Sequence, residues 1–217
     1  MSRTEVLLQH GWGFGPCCWA GWRAALPPEG VLRVADRGYF GTPCSPEGQP
    51  QVIVAHSFGL YLLEPRWLEG AQLVVGLGSF GTFHPEGEAG RRSRRVVGRM
   101  RRRLEEEPES LLAGFWSQCF APEGGGQDLP GPPEKPLLAA DLARLDREAL
   151  DLELLRGAPR VLLLHGEEDQ VVPVEQAQAL QRQLSNSRLE VLPGAGHALP
   201  LTRPAACWAA IAAALGP

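Results

Sequence analysis

The chain has no apolar run long enough to cross a membrane, no Cys-x-x-Cys pair, no internal repeat and no excess of positive charge. A membrane helix needs about 20 consecutive apolar residues. The C-terminal AACWAAIAAAL is shorter than that and is expected to pack as a terminal helix. Met1-Ser-Arg-Thr-Glu leads straight into a short apolar run, so no signal peptide is expected. The five cysteines are odd in number, which reads as reduced thiols and a cytoplasmic location. A net charge of −4 argues against whole-protein attraction to nucleic acid. The five histidines show no metal-ligand spacing, so neither a metal nor a cofactor is expected. What is present is an ordinary globular composition: 217 residues, 44% hydrophobic and 21% charged. That length suits one domain that buries its core without disulfides, and a monomer is expected.

Six short runs read as strands: 5–9, 30–36, 51–56, 71–80, 159–166 and 187–193. They are rich in Val and Leu rather than alternating, as in parallel strands buried on both faces. Helices are expected at 58–64, 173–184 and 204–215, with Pro173 and Pro204 in their first turns. The alternation implies an α/β fold, a mostly parallel sheet with helices on both faces. Residues 81–158 break this rhythm with an arginine-rich helical stretch, an aromatic stretch, a Gly/Pro loop and one or two further helices. They read as an insertion over the sheet edge. The core is then 1–80 and 159–217, with a helical cap at 81–158.

AHSFG, residues 55–59, follows the third strand. A serine hydroxyl is a weak nucleophile that needs a base, a group to orient the base, and N–H donors for the oxyanion. The chain offers these in order. Asp169 follows the fifth strand in LLLHGEEDQVVP, and His197 lies in GAGHALP before the last helix. Ser57, Asp169, His197 is the chain order of the nucleophile-elbow hydrolases. The oxyanion N–H groups would come from Phe58, next to the serine, and from Trp12 in the HGWG loop after the first strand. His56 should point away from the nucleophile, His165 should pack or hydrogen-bond at a strand end, and His10 should support the oxyanion loop.

HGWGFGPCCW, AHSFG, LLLHGEEDQVVP and GAGHALP resemble the α/β-hydrolase superfamily across nearly the whole core. The HGWG stretch more narrowly resembles the pimeloyl-[acyl-carrier protein] methyl ester esterases of biotin synthesis. That resemblance implies Ser57, Asp169 and His197 as a catalytic triad and Trp12 and Phe58 as oxyanion donors. It also implies an acyl carrier protein as the partner that brings the substrate. The chain departs from the pattern in three places. Ala55 stands where the elbow usually has its first glycine. DRGYFGTPCSPEGQP is too short and too rich in Gly and Pro to hold the usual helix before the elbow strand. Pro65 cuts the post-elbow helix short.

RRSRRVVGRMRRRLEEE, 91–107, is the most unusual composition in the chain. Arg91, Arg95, Arg99 and Arg102 fall at helical spacing, with Val96, Val97, Met100 and Leu104 free to face inward. Arg101, Arg102 and Arg103 have glutamates four residues on, whereas Arg91, Arg92, Arg94, Arg95 and Arg99 do not. These five are expected to dock an acidic carrier protein. Trp12, Phe14, Phe80, Phe83, Phe115 and Trp116 are expected to line an apolar substrate channel. A type II thioesterase or a general carboxylesterase would share the triad; a non-catalytic binding protein on the same fold would not need it.

Overall fold

A computed structural model describes residues 4–28, 30–126 and 128–216. The first three residues, which carry the expectation of a leader-free start, and Gln127 of the Gly/Pro loop lie outside the described residues. The strands are β1 (Glu5–Gln9), β2 (Val31–Ala35), β3 (Val52–His56), β4 (Leu73–Leu77), β5 (Val161–Gly166) and β6 (Ser187–Leu192). They form one sheet in the order β2-β1-β3-β4-β5-β6, and every pairing is parallel. The helices are α1 (Trp22–Ala25), α2 (Pro65–Leu68), α3 (Gly87–Glu106), α4 (Pro108–Phe120), α5 (Lys135–Arg147), α6 (Leu152–Arg156), α7 (Val174–Arg182), α8 (Leu199–Thr202) and α9 (Pro204–Leu215).

The pleat divides the core in two. Val6, Leu8, Val52, Val54 and Val75 face one side, against Trp22, Leu199, Ile211 and the inner residues of α3–α5. Leu7, Ile53, Ala55, Val74 and Leu163 face the other side, against Trp67, Leu155 and Leu180. Both faces are therefore covered over the central strands, and β3, β4 and β5 are buried at every position, whereas the edge strands β2 and β6 are only partly buried and carry Arg33, Arg188 and Glu190. Each such Val or Leu contributes roughly 1.5–3 kcal/mol on burial.

Several expectations shift in detail. The stretch after the elbow is a 3₁₀ helix, Ser57–Leu62, rather than an α-helix. Pro65 forces Glu64 into extended backbone and then opens α2 at its first position. Pro173 caps α7 from outside instead of sitting in its first turn, whereas Pro204 does open α9. Pro108 likewise separates α3 from α4. Among the described residues no helix lies between β2 and β3, in keeping with the Gly/Pro content there. Among the described residues no disulfide forms. Among the described residues no helix is long and apolar enough to cross a membrane.

Candidate active site

Ser57 sits where β3 turns into the 3₁₀ helix, at φ +55°, a left-handed conformation that a serine holds only under strain. The turn is tight enough that a Cβ on Gly59 would lie 2.7 Å from the Gln9 carbonyl oxygen. That contact accounts for the glycine two residues after the serine. A Cβ on Gly11 would meet the His56 carbonyl oxygen at 2.7 Å and Ser57 Cβ at 3.0 Å, so the loop after β1 lies directly against the elbow.

The His197 ring reaches this serine from the loop after β6. Its Nε2 is 3.1 Å from Ser57 Oγ, and its Nδ1 is 2.6 Å from Asp169 Oδ2. Facing a carboxylate, Nδ1 carries the proton, and Nε2 is left to accept from the serine hydroxyl. Asp169 is itself held: its Oδ1 accepts from Val171 N–H and Val172 N–H, both at 2.8 Å. Burial would raise the Asp169 carboxyl. The charge and hydrogen bond of His197, with His165 and the Val172 N–H, outweigh burial and hold it below the ordinary carboxylate range.

Two further histidines brace this chain. His165 donates Nε2–H to the Val172 carbonyl at 2.8 Å and lies 3.4 Å from Asp169 Oδ2. His56 donates Nε2–H to the carbonyl of His197 at 3.0 Å, and their ring centroids are 4.9 Å apart. Burial, with His197 alongside, lowers the His56 pKa to about 3, so it is neutral. The histidine loop is also pinned from α4: Ala198 N–H donates to the Cys119 carbonyl at 2.9 Å.

An apolar cleft of about 560 Å³ opens onto Ser57. Trp12, Phe83, Phe115, Val97 and Met100 form much of its wall, with Glu88, Arg92, Gln118 and Gln170 as polar members. A groove of about 340 Å³ between α3 and α4 shares Val96, Met100, Phe115 and Gln118 with this cleft and carries Arg99 and Arg103.

Residues 35–210 match the alpha/beta hydrolase family. The chain belongs to that family. It is similar in structure to an esterase from Exiguobacterium antarcticum, at 19% identity and TM-score 0.81, covering 100% of this chain and 93% of that one. An enol-lactonase from Burkholderia xenovorans LB400 is similar at 16% identity and TM-score 0.80, covering 100% and 93%. A thermophilic esterase from Thermogutta terrifontis is similar at 21% identity and TM-score 0.72, covering 99% and 90%. No curated protein sequence matches the chain significantly.

In this alpha/beta hydrolase the structure brings together the three residues that the sequence order singled out. It separates the six aromatics. Trp12, Phe83 and Phe115 line the cleft; Phe14, Phe80 and Trp116 do not. Phe14 and Phe80 are at most 1% exposed and serve the core behind the wall. Trp116 turns its indole N–H to the Gly13 carbonyl at 2.9 Å and braces the loop after β1. The expectation that Val96 faces inward is also corrected. It is exposed at the cleft mouth, while Val97 and Leu104 carry the inner face of α3.

The five arginines divide as well. Arg92 pairs with Glu88 at 3.6 Å, and Arg94 donates to the Asp146 carbonyl at 2.9 Å. The first partner lies four residues upstream and the second on another helix, so neither shows in a downstream count. Arg91, Arg95 and Arg99 are exposed and form no ion pair among the described residues. Of the three arginine–glutamate pairs expected in RRRLEEE, only Arg103–Glu107 forms, at 3.7 Å.

Sequence reasoning passed over Gly78. It has φ +58°, and a Cβ there would lie 3.1 Å from His197 Nδ1. It lies inside the apolar run 71–80, where nothing local sets it apart; only the end of β4 at Leu77 places it beside His197.

Proposed function

We propose that this chain is a serine carboxylesterase that removes the methyl ester of pimeloyl-[acyl-carrier protein] in biotin synthesis. The observation that carries the reading is the hydrogen-bonded chain Ser57–His197–Asp169 opening onto an apolar cleft beneath an arginine-rich helix. Esterases and an enol-lactonase among the structural neighbours agree with ester chemistry.

In this reading Ser57 Oγ attacks the ester carbonyl as His197 Nε2 takes its proton. Asp169 keeps the imidazole in the right tautomer and stabilises the imidazolium. The N–H groups of Trp12 and Phe58 hold the oxyanion. His197 returns the proton to the leaving methoxide, methanol departs, and an acyl-enzyme remains. Water then attacks it with His197 again as base, releasing the acid. Residues 81–158 act as a cap. The apolar cleft takes the aliphatic chain, and the α3–α4 groove gives the carrier arm a way out past Arg99. Arg91, Arg95 and Arg99, the unpaired members of the five, meet the acidic carrier protein.

A type II thioesterase reading uses the same cleft and the same arginines, because a carrier-bound acyl chain offers both bonds. Mass analysis of methyl-pimeloyl-acyl carrier protein after incubation separates them. Loss of the methyl group with the thioester intact supports the proposal. Release of the free acid moves the assignment to a thioesterase. Turnover of simple esters alone leaves a general carboxylesterase.

A further inference from the structure

The two residues assigned as oxyanion donors, Trp12 in the loop after β1 and Phe58 in the 3₁₀ helix after β3, are both tied by their side chains to α5. The Trp12 indole N–H donates to the Leu138 carbonyl at 2.9 Å. The Arg144 guanidinium stands over the Phe58 ring, 5.4 Å from its centroid, and donates to the Tyr61 carbonyl at 3.2 Å. Tyr61 in turn stacks on Phe58, with centroids 5.1 Å apart and planes at 18°.

Between these attachments lies Asp141, fully buried on α5. Its carboxylate accepts from Arg37 Nε at 2.6 Å and Nη2 at 3.0 Å, from Tyr39 Oη at 2.9 Å, and from Arg144 Nη1 at 3.4 Å. Leu138, Asp141 and Arg144 are three residues apart, so one helix face makes all of these contacts. The backbone N–H of Arg37 donates to His10 Nε2 at 3.0 Å, and His10 Nδ1 lies 3.0 Å from the Gly11 carbonyl oxygen. Asp141 is thereby joined, through Arg37, to the base of the loop that carries Trp12.

We propose that Asp141 and Arg144 are positioning residues for the oxyanion hole, with α5 as the strut that holds its two halves in register. This rests on the serine-esterase reading above. Oxyanion donors are effective only when they sit about 2.7–3.1 Å from the developing charge. Misplacement by about 1 Å costs on the order of 100-fold in rate. A buried ion pair is weak evidence for stability, since apolar residues of like volume often replace it without loss. It does impose one geometry, and here that geometry adds a second tie, through side chains, between the segments that leave the paired strands β1 and β3.

The test compares Asp141→Asn, Arg144→Met and Arg144→Lys with the wild type on a p-nitrophenyl ester. It reads kcat, KM, the pH midpoint of kcat/KM, and inhibition by an alkyl trifluoromethyl ketone, which forms a tetrahedral adduct on the serine. Asp141→Asn and Arg144→Met are expected to lower kcat by roughly 10- to 100-fold and to weaken the ketone by the same factor. KM and the pH midpoint stay in place, because His197 is untouched. Arg144→Lys, which keeps the charge, recovers part of the loss. Arg144 is partly exposed, so its variants carry the test should Asp141→Asn fail to fold.

Unchanged kcat and ketone affinity in folded Arg144→Met overturns the positioning role. So does a shift of the pH midpoint alongside the rate, which would place the damage in the triad. The underlying reading has its own control. A wild-type protein with no Ser57-dependent hydrolysis and no fluorophosphonate labelling at Ser57 defeats that reading, and this inference falls with it.

Discussion

His56 donates its Nε2–H to the main-chain carbonyl of His197 at 3.0 Å. The residue before Ser57 thus holds the backbone of the residue that, in the proposed mechanism, deprotonates it. The other ring nitrogen, Nδ1, is buried with no partner among the described residues. A charged imidazole there would need a second acceptor, which the site does not offer. Burial keeps His56 neutral, and the single N–H it retains is the one that braces His197.

This neutrality makes stability fall with acid. The folded pKa of His56 is about 3, against an ordinary value of 6.5. Between those values the unfolded chain binds a proton that the folded one does not, so stability rises with pH across the window and is lost as pH falls through it. Asp169, also depressed, adds a loss in the same direction at lower pH. Urea unfolding at pH 7 and pH 4.5 should show a drop on acidification of a few kcal/mol. His56→Gln, which can still donate to the carbonyl, should show a smaller drop between the same two pH values. An equal drop would remove His56 as its source.

Ser57→Ala should lower kcat on a p-nitrophenyl ester by roughly 10⁴-fold or more. Asp169→Asn should cost about 10⁴-fold, because an amide facing Nδ1 favours the wrong tautomer of His197. Initial rates with each folded variant check both. A Ser57→Ala enzyme at the wild-type rate would end the serine-hydrolase reading.

Gly78→Ala puts a Cβ 3.1 Å from His197 Nδ1, at a left-handed backbone position. The imidazole or the backbone must shift. The expected outcome is a loss of kcat of roughly 10-fold or more with a melting temperature lowered by only a few degrees. Wild-type kcat would show that the ring has slack.

Charge reversal of Arg91, Arg95 and Arg99 to Glu tests the carrier-protein surface. On a carrier-bound methyl ester at low salt, kcat/KM should fall by roughly 10- to 100-fold, and the deficit should shrink as salt is added. The rate on a small soluble ester should not change. Equal rates on the carrier substrate would make the patch a solvated helix face.

Much of this protein is determined by local chemistry that a sequence displays. Runs of Val and Leu mark the strands because the central strands of a parallel sheet are covered on both faces, and even the part-exposed edge strands β2 and β6 keep Val and Leu on their inner positions. The order of AHSFG, Asp169 and His197 was legible because loops at one end of such a sheet converge, and the spacing of strands already fixes which loops those are. Pro204 announced where α9 begins, and Pro65 announced the end of the post-elbow helix.

What tertiary structure alone decided is which side chains meet across distant elements. Phe14 and Phe115 are both aromatic and both near the cleft, but only the packing of α4 makes one of them wall and the other core. Arg92 and Arg94 differ from Arg91 and Arg95 only by partners upstream on α3 or on another helix. Asp141 looked like one more acid in LLAADLARLDREAL, until the fold brought Arg37 from 104 residues away to bury it. Local propensity and periodicity act over a few residues. The contacts that choose among equally apolar or equally charged neighbours span the whole chain, and only the closed fold specifies them.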